Sequence, residues 1–178
     1  MRLFVPILAT AAAALTHSLA VAAPCQEPRL EALANDHPEC RYYIGTRLYR
    51  EGDHVGARLN WQYVLDSSDD EKNVQRLRTD ARNNLGYLFY MGLGTRRDRT
   101  KAIQLWEIAA RSGQEESSYH LCHALGDARQ PEYKPRVALT HCQEALRRYE
   151  QYPVSDRDAD FEVVVRDIKK YIERLAGT

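Results

Sequence analysis

The sequence has no run of alternating apolar and polar residues long enough to predict a β-strand. Its one cluster of β-branched residues, at 163–165, lies inside a helical pattern. Several catalytic motifs are missing too: there is no G-x-S-x-G elbow, no phosphate-binding P-loop and no H-E-x-x-H zinc helix. These absences predict an all-α protein that is not an enzyme, with no catalytic residue assigned.

An excess of charge of either sign is also absent. The chain has 25 lysines and arginines and 25 aspartates and glutamates, so its formal net charge is zero. This balance gives no reason to expect nucleic acid or an anionic membrane surface as a partner. We therefore predict no nucleic-acid partner.

Long apolar runs are missing after the first part of the chain. Arg2 precedes a short apolar run, and small residues follow that run. This order predicts a signal peptide over residues 1–22, cleaved after Ala22, with cleavage after Ala20 or Ala23 as alternatives. The run is too short for a transmembrane helix, which needs about 20 apolar residues. The sequence thus predicts a periplasmic or secreted protein without an integral membrane segment after cleavage.

Cysteine is scarce, but its number is even. Four cysteines follow the predicted cleavage site: Cys25, Cys40, Cys122 and Cys142. An even number in an exported chain favours disulfides, and four cysteines permit three pairings. We favour Cys25 with Cys40 and Cys122 with Cys142, because each bond would then join neighbouring helical segments.

The rest of the chain contains an internal repeat. An aliphatic residue followed by glycine recurs at 44–45, 85–86 and 125–126, about 40 residues apart. The second helices share residues spaced four apart: Asp53, Ala57 and Trp61, then Asp98, Ala102 and Trp106, then Ala138 and Cys142. The repeat predicts three helical hairpins.

The middle hairpin carries the most specific pattern. Its spaced residues are Ala81, Leu85, Gly86, Gly92, Gly94, Asp98, Ala102, Trp106, Ala109, Ala110 and Gly113. This pattern resembles a Sel1-like repeat, a relative of the tetratricopeptide repeat. The resemblance implies an α/α solenoid of about three hairpins over 38–150. Outside it, the residue pattern predicts a short N-terminal helix in 23–37 and, from a single apolar stripe, a C-terminal capping helix in 151–178.

The resemblance also implies a binding groove lined by the first helix of each hairpin. Carried over position by position, it predicts these groove residues: Tyr42, Thr46, Tyr49, Arg50, Asn83, Tyr87, Tyr90, Met91, His123 and Asp127. Eleven tyrosines against three phenylalanines favour a recognition surface, since tyrosine joins an apolar ring to a polar tip. The alternative is that half of these residues pack between neighbouring hairpins.

The predicted function is that of an exported adaptor that binds a protein or peptide without a cofactor. Members of the family it resembles serve in envelope signalling, assembly of surface polymers and neutralisation of toxins. Two alternatives stay open. One is a module that pairs into a dimer. The other is a small metal-binding or enzymatic protein, which rests on one cluster: His120, Cys122, His123, His141 and Cys142. That cluster lacks the C-x2-C and H-x3-H spacings typical of zinc sites, so no metal ligand is predicted.

Overall fold

A computed structural model describes Cys25 and residues 30–35, 37–69, 71–157 and 159–177. The predicted signal peptide lies outside these residues. All regular structure in the described ranges is helical, which confirms the predicted fold class. Within the same ranges, no helix combines the length and the apolar character needed to span a bilayer.

Eight α-helices follow one another along the described chain. They are α1 (Leu30–Leu33), α2 (Pro38–Arg50), α3 (His54–Asp66), α4 (Lys72–Met91), α5 (Arg99–Arg111), α6 (Glu115–Gly126), α7 (Pro135–Tyr149) and α8 (Ala159–Ala176). Helices α2 and α3, α4 and α5, and α6 and α7 pack as three hairpins. Successive hairpins stack through α3 on α4 and α5 on α6, and α8 covers the last hairpin.

Two hairpins share the same tryptophan wedge. Trp106 is 1% exposed, and its Nε1 donates a hydrogen bond of 3.0 Å to the backbone carbonyl of Asn83. Trp61 makes the equivalent bond of 3.2 Å to the carbonyl of Tyr42. A Cβ added at Gly86 would lie 2.5 Å from the Trp106 ring. Glycine is therefore needed where the indole packs against α4.

The turn of the middle hairpin packs against the first hairpin. Gly94 has a φ of +61°, and a Cβ at this position would lie 2.5 Å from the backbone carbon of His54. Arg58 donates from Nε to the carbonyl of Gly94 at 3.2 Å. Asp98 then caps α5 by accepting a hydrogen bond of 2.9 Å from the backbone nitrogen of Lys101. The contacts of Gly94 with His54 and Arg58 therefore join the turn of the middle hairpin to the first hairpin.

Two disulfides join neighbouring segments, one in the first part of the stack and one in the third hairpin. Cys122 is bonded to Cys142 across the third hairpin, and Cys25 is bonded to Cys40 at the start of α2. This is the pairing that the sequence analysis favours. Cys142 stands at the position of the tryptophan in the other two hairpins. Because both sulfurs of the third hairpin are in the bond, neither is available as a thiolate ligand.

Helix α8 closes the stack as the sequence predicts. Its apolar stripe packs Ile168 and Leu175 into the main core beside α6 and α7, and Val165 of the same stripe is buried as well. Arg174 donates from Nη2 to the carbonyl of Gly126, the last residue of α6, at 3.0 Å. A cation at a helix C-terminus satisfies a free carbonyl and opposes the helix dipole.

Candidate binding cavity on the first-helix face

A cavity of about 390 Å³ opens on the face formed by the first helix of each hairpin, α2, α4 and α6. We call it the inner cavity. The residues that line it are Tyr42, Thr46, Tyr49, Arg50, Trp61, Asn83, Asn84, Tyr87, Glu116 and His120. Side chains from all three hairpins therefore meet in one concave site.

The inner cavity contains predicted groove residues from the first two hairpins. Those that line it are Tyr42, Thr46, Tyr49, Arg50, Asn83 and Tyr87. The structure adds Trp61, Asn84, Glu116 and His120, which the groove prediction does not include. The match between Trp61 and Trp106 in the repeat was the available signal for Trp61. The repeat pattern gave no signal for Glu116, which lies in the first turn of α6.

Two predicted groove residues of the middle hairpin lie elsewhere. The ring of Tyr90 packs 5.3 Å from that of Trp106, centroid to centroid, and lies under the guanidinium of Arg99 at 4.7 Å. Met91 is 50% exposed at the end of α4. Both residues are near the hairpin turn rather than on a cavity wall.

The two predicted residues of the third hairpin also lie outside the cavity. Nε2 of His123 is 2.7 Å from the Asp167 carboxylate, and its ring centroid is 4.1 Å from that of Tyr171. Helix α8 therefore covers His123. Asp127 instead accepts hydrogen bonds from the Arg129 side chain, which lower the pKa of its carboxyl group. The α6 wall of the cavity is formed one turn earlier, by Glu116 and His120.

Asn83 fixes the middle of the cavity. It is 2% exposed, its Nδ2 donates to Oε2 of Glu116 at 2.7 Å, and its Oδ1 accepts from the hydroxyl of Ser117 at 2.8 Å. Its backbone carbonyl accepts from Trp106. A buried amide with these groups satisfied is held in one orientation, so the Asn83 side chain joins α4 to α6 while its backbone carbonyl binds α5.

Aromatic rings run along the wall from α2 to α6. The ring of Tyr49 lies 5.8 Å from that of Trp61 and 6.5 Å from that of Tyr87. Tyr87 lies 5.9 Å from His120, which stacks on Trp106 at 4.7 Å with an interplanar angle of 27°. These distances are typical of favourable aromatic pairs. The rings therefore form a continuous aromatic wall from α2 to α6.

Burial controls the charges of the lining. It raises the pKa of the Tyr42 and Tyr49 hydroxyl groups, so both tyrosines are neutral at pH 7. It lowers the pKa of His120 to about 4, with a smaller contribution from His123. Burial also raises the pKa of Glu116, whereas the hydrogen bond from Asn83 favours its charged form. Neutral rings therefore surround a carboxylate and the exposed guanidinium of Arg50.

Stability should fall on acidification because of His120. Its side chain is 17% exposed and its pKa in the folded state is about 4, whereas an unfolded histidine has a pKa of about 6.5. Its contribution is complete above the unfolded pKa and is lost as pH falls toward the folded pKa. We expect urea unfolding to give a free energy of unfolding lower by about 2 kcal/mol at pH 5 than at pH 7 from this group.

The control for this prediction is His120→Phe, which keeps a ring against Trp106 but cannot titrate. The difference in unfolding free energy between pH 7 and pH 5 should shrink by about 2 kcal/mol in this variant. Half-buried His123 and His141, whose pKa values are lowered, add to the effect in wild type, while Asp80 and Glu116, whose pKa values are raised, act in the opposite direction. An unchanged pH dependence in the variant would show that His120 is not buried as described.

The middle hairpin has a match among known protein families. Residues 79–114, which span the second half of α4 and the whole of α5, match the Sel1 repeat. This hairpin is a Sel1 repeat. Sel1 repeats build helical scaffolds that mediate interactions between proteins. No curated protein and no solved structure matches the chain.

The Sel1 repeat contributes the centre of the inner cavity. Asn83, Asn84 and Tyr87 belong to it, while residues from α2 and α6 form the two sides. Among the described residues, no group of three or more histidine, cysteine, aspartate or glutamate side chains is placed to hold a metal ion. The lining therefore provides rings, hydroxyl groups, amides and two opposite charges for non-covalent binding.

Proposed function

We propose that this chain is an exported, non-catalytic adaptor that binds a segment of another protein in the inner cavity. The observation that carries the proposal is the convergence of Tyr42, Tyr49 and Tyr87 from two hairpins on one concave site. Tyrosine gives a large contact area with few rotatable bonds and is enriched at positions that dominate binding energy. A Sel1 repeat at the centre of the cavity supports a protein or peptide as the ligand.

Two features support a periplasmic or extracellular location. The described cysteines are all paired in disulfides, which persist in oxidising compartments. The predicted signal peptide at residues 1–22 agrees with this location. We also propose that residues 38–150 form the repeat domain, with 23–37 and 151–178 as its flanking helices. Envelope signalling, assembly and toxin neutralisation are the processes in which such an adaptor would act.

Replacing Tyr87 with alanine should weaken binding by about 2 kcal/mol, or roughly 30-fold in Kd. The reason is that Tyr87 lies between Tyr49 and His120 in the aromatic wall, so its removal opens the middle of the contact surface. The ligands are peptides selected from a random displayed library on the folded, oxidised chain. Calorimetry then gives their Kd for wild type and variant.

The matched control is Glu107→Lys on α5. Glu107 lines a separate surface depression with Thr140 and His141, between the second helices of two hairpins. Its charge reversal should leave peptide affinity unchanged, and circular dichroism should show both variants folded. Equal losses at Tyr87 and Glu107 would contradict the proposed site. A library selection that yields no peptide would contradict the adaptor function.

A further inference from the structure

Glu116 is the one carboxylate among the lining residues of the inner cavity. Its Oε2 accepts the hydrogen bond of 2.7 Å from Asn83, and Asn83 is itself held by Ser117. The Glu116 side chain is 51% exposed, so it is anchored at one oxygen and open to a ligand at the other. A carboxylate fixed by buried partners loses little freedom when a ligand binds.

The second oxygen of Glu116 has no cation within the described chain. Among the described residues, the basic nitrogen found within 4.0 Å of Oε1 is Nε2 of His120, and its distance of 3.9 Å is too long for a hydrogen bond. His120 is also neutral at pH 7, because burial lowers its pKa to about 4. The oxygen therefore keeps its full capacity to accept hydrogen bonds from a ligand.

The charges beyond the cavity wall increase the negative potential at Glu116. Its charged neighbours are Glu115 and Asp80, and both raise the pKa of Glu116. Arg76 is paired with Asp80 at 3.3 Å. Arg50, the one cation of the lining, belongs to α2 at the other side of the cavity. The α6 side of the cavity is therefore complementary to a positive group.

We infer that this side of the cavity takes an arginine side chain of the partner segment, with Glu116 as its counter-ion. The inference rests on the proposed function, since it names the chemistry of the segment bound there. A guanidinium donates to a carboxylate with two nitrogens and also stacks on aromatic rings. Tyr87 and Tyr49 supply those rings beside Glu116, and their hydroxyl groups accept further hydrogen bonds. Lysine lacks the planar group, so arginine is the better match.

The test uses blocked pentapeptides that are identical except at the central residue, which is arginine, citrulline, lysine, glutamate or alanine. Citrulline has the shape of arginine without its charge. Binding to the folded, oxidised chain is followed by NMR through the indole signals of Trp61, which lines the cavity, and Trp106, which stacks on His120. We expect the arginine peptide to bind about tenfold more tightly than the citrulline peptide.

Glu116→Gln should abolish this preference by weakening the arginine peptide about tenfold while leaving the citrulline peptide unchanged. The substituted amide oxygen still accepts from Asn83, so the wall keeps its geometry. Glu107→Gln, the matched loss of a carboxylate from the other face, should keep the preference.

Three results would overturn the inference. An equal preference for arginine in wild type and Glu116→Gln would show that Glu116 is not the counter-ion, while peptide binding in the cavity would stand. Tightest binding of the glutamate peptide, lost in Arg50→Gln, would assign the cavity to an acidic side chain. Absence of indole shifts with every peptide would overturn the proposed function as well.

Discussion

Replacing Trp106 with alanine is expected to lower the free energy of unfolding by about 3 to 5 kcal/mol. The side chain is 1% exposed and fills the space beside Gly86 where α4 and α5 meet. Its loss leaves a cavity in the middle hairpin and removes the hydrogen bond to the carbonyl of Asn83. The ring of His120 also loses its stacking partner. Urea denaturation of wild type and variant measures the change.

The matched control for Trp106 is Ile108→Ala on the same helix. Ile108 is 39% exposed, so its truncation should change stability by no more than about 0.5 kcal/mol. Equal, small effects of the two substitutions would show that Trp106 does not form the wedge of the hairpin. A large effect at Trp106 alone would support the described packing of α4 against α5.

Removal of the Cys122–Cys142 disulfide should lower the free energy of unfolding by about 3 kcal/mol. The bond joins residues separated by 20 positions and closes the hairpin of α6 and α7. Without it the unfolded chain gains the conformational freedom of that loop. Urea denaturation of the Cys122→Ala/Cys142→Ala variant tests the prediction. An unchanged free energy of unfolding would contradict it.

The second disulfide provides the comparison. Cys25–Cys40 ties the segment before α2 to the start of that helix. In this segment Leu30 and Ala34 pack with Ile44 of α2 in a small cluster that is separate from the main core. Its removal should release this segment locally and change the main unfolding transition less than removal of Cys122–Cys142 does. Hydrogen exchange of α1 amides in the Cys25→Ala/Cys40→Ala variant measures that local release. A main transition lowered equally by both removals would show that the segment unfolds together with the core.

Short-range patterns in the sequence were enough to predict the helices and hairpins. Periodicity of 3.6 residues, aspartate caps such as Asp53 and Asp98, and the spacing of Gly86 and Trp106 act within one helix or one hairpin. The favoured cysteine pairing followed the same logic, since each bond joins neighbouring segments. These features depend on contacts between residues close in the chain, so the residue pattern alone determines them.

Contacts between hairpins were decided only by the tertiary structure. Arg78 is 7% exposed and donates to the carbonyls of Val64 and Ser67 at the end of α3, a role that no local pattern indicates. Asn83 reaches Glu116 across 33 positions of the chain. Such contacts depend on how each hairpin is rotated against the next. That rotation is set by the sum of many weak packing interactions.

On the α6 side of the inner cavity, too, the sequence determines some features and the tertiary structure determines others. The repeat placed α6 on the first-helix face, and it placed His123 and Asp127 in the groove by analogy with the other hairpins. In the structure α8 packs over His123 through Asp167 and Tyr171, so Glu116 and His120 form the cavity wall. The sequence alone determined which helices form the face. The stacking of the hairpins and the cover supplied by α8 decided which side chains line the cavity, because burial of one turn of α6 leaves only the preceding turn open.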